Sequence, residues 1–344
     1  MTRTVARGLP AVRTAQHRIA SLPERLSGIG LLFGAHAFGA VLNTGSFAFM
    51  ASVIPDGAAE KQRWFSALAS LRGMNTVALY SPFLVGFAVV YTYVPEVPVW
   101  QAFLLGGSMA ACGLTISLLI FARPLSLDAV RQGLGCLAPI GLLMVVVGGL
   151  VIAGSQIFPI STLGAVLMVM PVLCAVHLVQ QPHRFNEVYE DTKGVMSTMG
   201  DDLLIVSTSL VLGTLAETAP PILDVVAPWI GSHLPPWSVF SAVAGSMVLF
   251  AIVGVHPMIT GTVMMVAVTT SDLPVAHLPL MTAMLFGWGM GSMSSISSLT
   301  VVTAGRLFGV RPITLALGPN LIYVAAFFVF TMTVLTGLNA VMTG

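Results

Sequence analysis

Two short polar clusters stand inside otherwise apolar sequence: Leu42-Asn43-Thr44-Gly45 and Ile259-Thr260-Gly261-Thr262. At the tip of a helical hairpin, such residues let two half-helices aim N-terminal N–H groups and positive dipole ends at one point. An anion can bind there without any buried Lys or Arg. Asn43, Thr44, Thr260 and Thr262 add side-chain donors, while Gly45 and Gly261 let backbone approach a ligand closely. Two further runs, GMNTVALYSP from Gly73 and GMGSMSSISS from Gly289, carry Asn75, Ser81 and Pro82, and Ser294, Ser295 and Ser297. Pro82 removes a backbone donor and frees a carbonyl. Freed carbonyls with Ser, Thr and Asn oxygens are the donor set of a hard cation such as Na⁺. Packing accounts for the same residues in another way, since small residues let apolar helices touch and a proline kinks a helix whose serines bond back to it. Five serines in seven residues of the second run are nevertheless hard to assign to packing.

His36 and His256 follow matching Gly-x-His triplets and are candidate proton sites, or neutral hydrogen-bonding caps. His177 is solitary and reads as structural. Asp201-Asp202 reads as a helix N-terminal cap, Glu217 as a solvated group at a span end, and HRFNEVYEDTK as a charged loop. Gly-Ser pairs with His256 would be needed for an intramembrane serine hydrolase, but no spacing fixes nucleophile and base together. HExxH, P-loop and dinucleotide fingerprints are absent from the sequence, so no enzyme class or cofactor is expected beyond a coupling ion, sodium or proton.

The elements that must hold these groups are apolar. Of 344 residues, 56% are hydrophobic and 8% charged, with mean hydropathy +0.94. That leaves too little charge to cover a soluble surface and excludes a water-soluble globule. A net charge of +1 without a basic run argues against nucleic acid. Cys112, Cys136 and Cys174 lie in apolar segments and form no CxxC pair. The expected fold is an all-α polytopic membrane protein in a lipid bilayer. It has a cytoplasmic amphipathic arm at 1–28, a hairpin at 29–54, a broken span at 73–95 and a span at 98–122. Then follow spans at 135–156, 159–180 and 196–216, a hairpin at 237–270, a broken span at 280–305 and a span at 313–340.

The charges favour re-entrant hairpins. If 29–54 and 237–270 each leave on the side they enter, all fourteen Lys and Arg fall on one face; if each crosses once, the split is seven to seven. Positive charge marks the cytoplasm. The N-terminus is therefore expected inside, with seven full spans and two hairpins, in two inverted repeats, 29–122 and 123–344. Inverted repeats with a site between them at mid-membrane are the architecture of secondary transporters.

On these tips and broken spans the chain resembles the ion transporter superfamily, especially the divalent anion:sodium symporters and, more distantly, the membrane subunits of tripartite transporters. The resemblance implies an elevator-like permease of the inner (plasma) membrane, taking up a small organic anion, a carboxylate by family type, with sodium or protons. Asn43, Thr44, Gly45, Thr260, Gly261 and Thr262 would hold substrate, and Asn75, Ser81, Pro82, Ser294, Ser295 and Ser297 the ion. The second tip departs from the family's Ser-Asn-Thr by lacking the Asn. The family's first scaffold helices have no counterpart ahead of 29–54, so a homodimer, a partner subunit or further N-terminal helices are expected to wall that hairpin.

Overall fold

The computed structural model describes residues 2–344 apart from 56, 123–124, 159, 161, 272 and most of 197–226. The expected span 196–216, and with it Asp201, Asp202 and Glu217, lies outside the described residues. The rest is helix, 83% in all, with no strand among the described residues. The helices are α1 (Thr2–Gly8), α2 (Pro10–Ala20), α3 (Glu24–Leu42), α4 (Ser46–Ala51), α5 (Glu60–Thr76), α6 (Val85–Tyr93), α7 (Val99–Phe121), α8 (Leu127–Gly135) and α9 (Ala138–Ile157). There follow α10 (Thr162–Gln180), α11 (Phe185–Met196), α12 (Ala227–His233), α13 (Pro236–Ile252), α14 (Pro257–Thr269), α15 (His277–Ser294), α16 (Leu299–Phe308), α17 (Pro312–Ala316) and α18 (Asn320–Thr343).

Four stretches are long and apolar enough to cross a membrane: Glu24–Ala51, Val99–Phe121, Ala138–Ile157 and Pro312–Thr343. A fifth arises if Gly164–Gln180 and Pro182–Gly194, bent by 114°, form one span. Only 17% of the apolar window in Ala138–Ile157 is buried, against 61% in Glu24–Ala51. Side chains such as Leu142 and Val145 stand out from the protein, as lipid-facing residues do. This is the build of a membrane protein.

Glu24–Ala51 is not straight. Eleven residues of helix would separate Phe38 from Phe49 by about 16 Å, yet their rings stack at 5.3 Å. The chain turns back through a 3-10 turn at Asn43–Gly45, and Met50 comes to rest on Gly34. The turn is sharp because Asn43 takes φ 52 and ψ −135, the one non-glycine with positive φ among the described residues. Asn tolerates that region better than most residues, at a cost of about 1–3 kcal/mol. α13 and α14 make the other hairpin. Gly254 at φ 97 opens the turn and Pro257 begins α14 at N1, where its missing N–H costs nothing.

Each hairpin's long limb runs parallel to the broken helix that follows. Gly39 lies on Met74 and Val77, and the Ser81 hydroxyl donates to the carbonyl of Ala40 at 2.7 Å. In the other half Met247 packs on Gly287, and Ala251 with Pro257 on Gly291. Helix α5 begins at Glu60, thirteen residues ahead of the expected 73, and is buried from Ser66 onward. The two broken helices then cross. A side-chain carbon on Gly289 would stand 2.6 Å from the carbonyl oxygen of Asn75, so only glycine permits that approach. Trp64 Nε1 donates to Thr314 O at 3.2 Å at the far end of the same contact. Hence α5 passes antiparallel to the α15–α16 run. Tyr323, Phe286 and Phe327 fill the core beside it.

Candidate functional site

Where the two hairpin turns meet the two helix breaks there is a cavity of about 290 Å³. Asn43 and Thr44 reach it from the first turn, and His256 and Met258 from the second. Asn75, Ala78 and Gly86 flank the first break, and Trp288, Ser292, Ser298 and Thr300 the second. Of the residues expected to bind, Asn43, Thr44, Asn75 and His256 share this space. Gly45, Ser81, Pro82, Ser294, Ser295, Ser297, His36, Thr260, Gly261 and Thr262 do not line it.

The second tip is displaced from its expected place. The turn is at Val253–His256, and Thr260, Gly261 and Thr262 lie inside α14, where Gly261 packs on Met247 and Met284. Proline fixes the start of a helix more strongly than a polar triplet breaks one. His36 and His256 are correspondingly not equivalent. His36 sits midway along α3, with Nδ1 3.1 Å from Gly73 O and 3.0 Å from Thr76 Oγ1, and Nε2 3.0 Å from Tyr80 OH. Its whole ring is engaged in tying α3 to the first broken helix. His256 caps α14, accepting the Met258 N–H at Nδ1 (3.2 Å), and meets Trp288 edge to face at 5.8 Å.

The serine run has a local role that its composition did not reveal. Ser294 bonds back to Met290 O at 2.9 Å, and the Ser295 and Ser297 hydroxyls pair at 3.2 Å. Ser298 caps α16: its hydroxyl accepts from Val301 N–H at 3.3 Å and donates to the Ser292 and Ser295 carbonyls. Thr300 also donates to Ser292 O, at 3.1 Å. At the other break Ser81 is spent on Ala40, and Pro82 stands between the short turn Val77–Leu79 and α6.

What remains available at the cavity is neutral and polar. Among the described residues the side chains of Asn43 and Thr44 and the Ser292 hydroxyl have no hydrogen-bond partner, and Asn75 uses only its NH₂ group, on Leu71 O at 2.8 Å. Three helices of nine or more residues, α6, α14 and α16, begin at the cavity wall. Their first-turn amides have no intrahelical acceptor, while α3, α5 and α15 end beside the same space with their last carbonyls, so donors and acceptors both face it. No Asp, Glu, Lys or Arg lines it. The amide ends suit an anion or a dipolar group presenting oxygen, and the carbonyl ends a cation. No protein-family model matches the chain, and no curated protein sequence matches it.

Sequence reasoning missed Trp288, Gly86 and Thr300. Gly86 lies against the indole face, a side-chain carbon there falling 2.7 Å from Trp288 Cδ2, so the Trp between two glycines in FGWGMG was the available signal. It also missed Arg72, which the charge count places with the other Lys and Arg on the cytoplasmic face, ahead of the broken span expected at 73–95. Arg72 is 6% exposed inside α5. Counting α5 by Trp64, Leu68, Leu71 and Asn75, at helical spacing, would have drawn Arg72 into the helix.

Proposed function

We propose that the chain is a secondary transporter of a small organic anion, a carboxylate first of all, driven by a sodium or proton gradient. The observation that carries this is a neutral cavity to which both turns and both breaks contribute, and at which three helices begin. Two inverted repeats, seven spans and two re-entrant hairpins, in an inner membrane with the N-terminus inside, complete the reading. The parallel limb-and-break order in each half and the antiparallel crossing of α5 with α15 support it. So does the basic end of the molecule, where Arg25 and Lys61 border one cavity and Arg18 reaches Gly135 O at 3.1 Å.

Asn43 offers a clean test, because Asn43→Gly keeps the turn's backbone and removes only the carboxamide. In proteoliposomes with a panel of labelled mono-, di- and tricarboxylates under sodium or proton gradients, uptake by the variant is expected to fall about tenfold, the worth of a hydrogen bond to a charged group. Its thermal stability should rise by about 1 kcal/mol as the strained φ is relieved. Undiminished uptake removes Asn43 from the site. Topology is tested separately: Lys61→Cys and Arg184→Cys should both label from the cytoplasmic side in oriented vesicles, and labelling of position 61 from outside defeats the first re-entrant hairpin.

A further inference from the structure

A second cavity, of about 600 Å³, opens between the start of α3, the first half of α5 and the end of α7. Its charged walls are Arg25, Lys61 and Arg72 against one carboxylate, Glu24. Arg72 is its deepest charge, twelve residues beyond Glu60 and so about 18 Å along the helix. The guanidinium is held by neutral groups alone: Nε donates to Ser117 Oγ at 2.8 Å, Nη1 to Asn320 Oδ1 at 2.7 Å, and the cation lies 4.1 Å over the Phe121 ring. Its other N–H groups have no acceptor among the described residues, and no carboxylate pairs with it there. A buried charge without a counter-charge is costly. This one borders open space, both in the large cavity and in an adjoining one of about 100 Å³ that Arg25 and Phe121 also line.

We propose that this cavity is a phosphate-binding site, with Arg72 as its floor and Arg25 and Lys61 as its rim, separate from the neutral cavity at the helix breaks. A planar guanidinium with unused donors matches phosphate oxygens in fork geometry. The phosphate can belong to an anionic phospholipid or to a small soluble phosphate. The walls favour the lipid, since Phe65, 49% exposed, and Phe121 offer an apolar side beside the cationic floor, as a headgroup with attached chains requires.

The test is thermal unfolding of the purified full chain in mild detergent with phosphatidylcholine, with phosphatidylglycerol, or with inorganic phosphate against chloride at equal ionic strength. Phosphatidylglycerol is expected to raise the midpoint by several degrees where phosphatidylcholine does not. A rise with inorganic phosphate alone keeps the site and assigns it to a soluble ligand. Arg25→Gln with Lys61→Gln, both exposed and therefore safe for folding, should weaken the half-saturating phosphatidylglycerol concentration roughly tenfold or more, and Arg72→Gln should abolish the response. If Arg72→Gln does not fold, the double variant decides alone. No response of the wild type to either phosphate source, or a double variant that responds like the wild type, overturns the proposal. Transport of carboxylates enters none of these readouts, so this site and the transport reading fail separately.

Discussion

Gly289→Ala is expected to lower the stability of the purified protein by about 3 kcal/mol, the upper end for overpacking, and to abolish the proposed anion uptake. The added carbon would fall 2.6 Å from Asn75 O and 3.0 Å from Ala78 Cβ. A carbonyl held within a helix cannot swing aside as a side-chain tip can, so α5 and α15 must move apart. That movement opens the cavity wall at the point where both broken helices contribute. Gly107→Ala is the control: nothing lies within 4 Å of the position, and an open helical site gains roughly 0.5–1 kcal/mol from alanine. Thermal unfolding with uptake by the same preparations checks both. A Gly289→Ala protein with wild-type stability would mean that the crossing is looser than drawn.

The second large effect concerns His36. His36→Leu should destabilise the protein by about 3 kcal/mol, because it strands the part-buried Tyr80 hydroxyl and removes the ring's contacts with Gly73 O and Thr76 Oγ1. Adding Tyr80→Phe removes the stranded partner, and the double variant should regain about 1 kcal/mol or more, a coupling that independent sites would not show. Transport separates the two roles open to His36. As a latch, its loss lowers the amount of folded protein and leaves the pH profile of uptake per folded molecule unchanged. As a proton site, it would flatten that profile in the double variant even where stability has returned. The geometry favours the latch, since both ring nitrogens are already occupied.

These residues show how far sequence carries. Gly254 and Pro257 mark the break in the hairpin expected at 237–270, because a positive φ and a missing N–H act locally, whatever the surroundings. Asn43-Thr44-Gly45 was legible as a turn for the same reason. The triplet Thr260-Gly261-Thr262 misled because its composition resembles a tip, whereas helix α14 absorbs threonine and glycine at little cost once Pro257 has set its start. Pairing Gly34-Ala35-His36 with Gly254-Val255-His256 failed similarly: a long limb carries the first triplet and a turn the second. The serine run was conspicuous for a reason that requires the fold, namely that one hydroxyl caps α16 while others satisfy the end of α15. Arg72 was lost because hydropathy averages over neighbours, and a lone buried guanidinium is indistinguishable from a loop charge until Ser117 and Asn320, far off in sequence, are seen to meet it.

The arm at the start of the chain closes a long loop in time as well as in space. Thr4 pairs with Asp191, a partner 187 residues away, and Arg184 Nη2 donates to Thr4 O at 2.9 Å. At roughly 5–20 residues per second of synthesis, α1 exists for about ten to forty seconds before α11 has been made. Throughout that interval Val5 of α1, buried in the finished fold against Cys174 and Val188, has no protein to cover it, whereas α2 already finds Gly30 and Gly34 of α3 under Ile19. The docking of α1 is therefore timed by the emergence of residues 184–191, after α2 has found its place on α3.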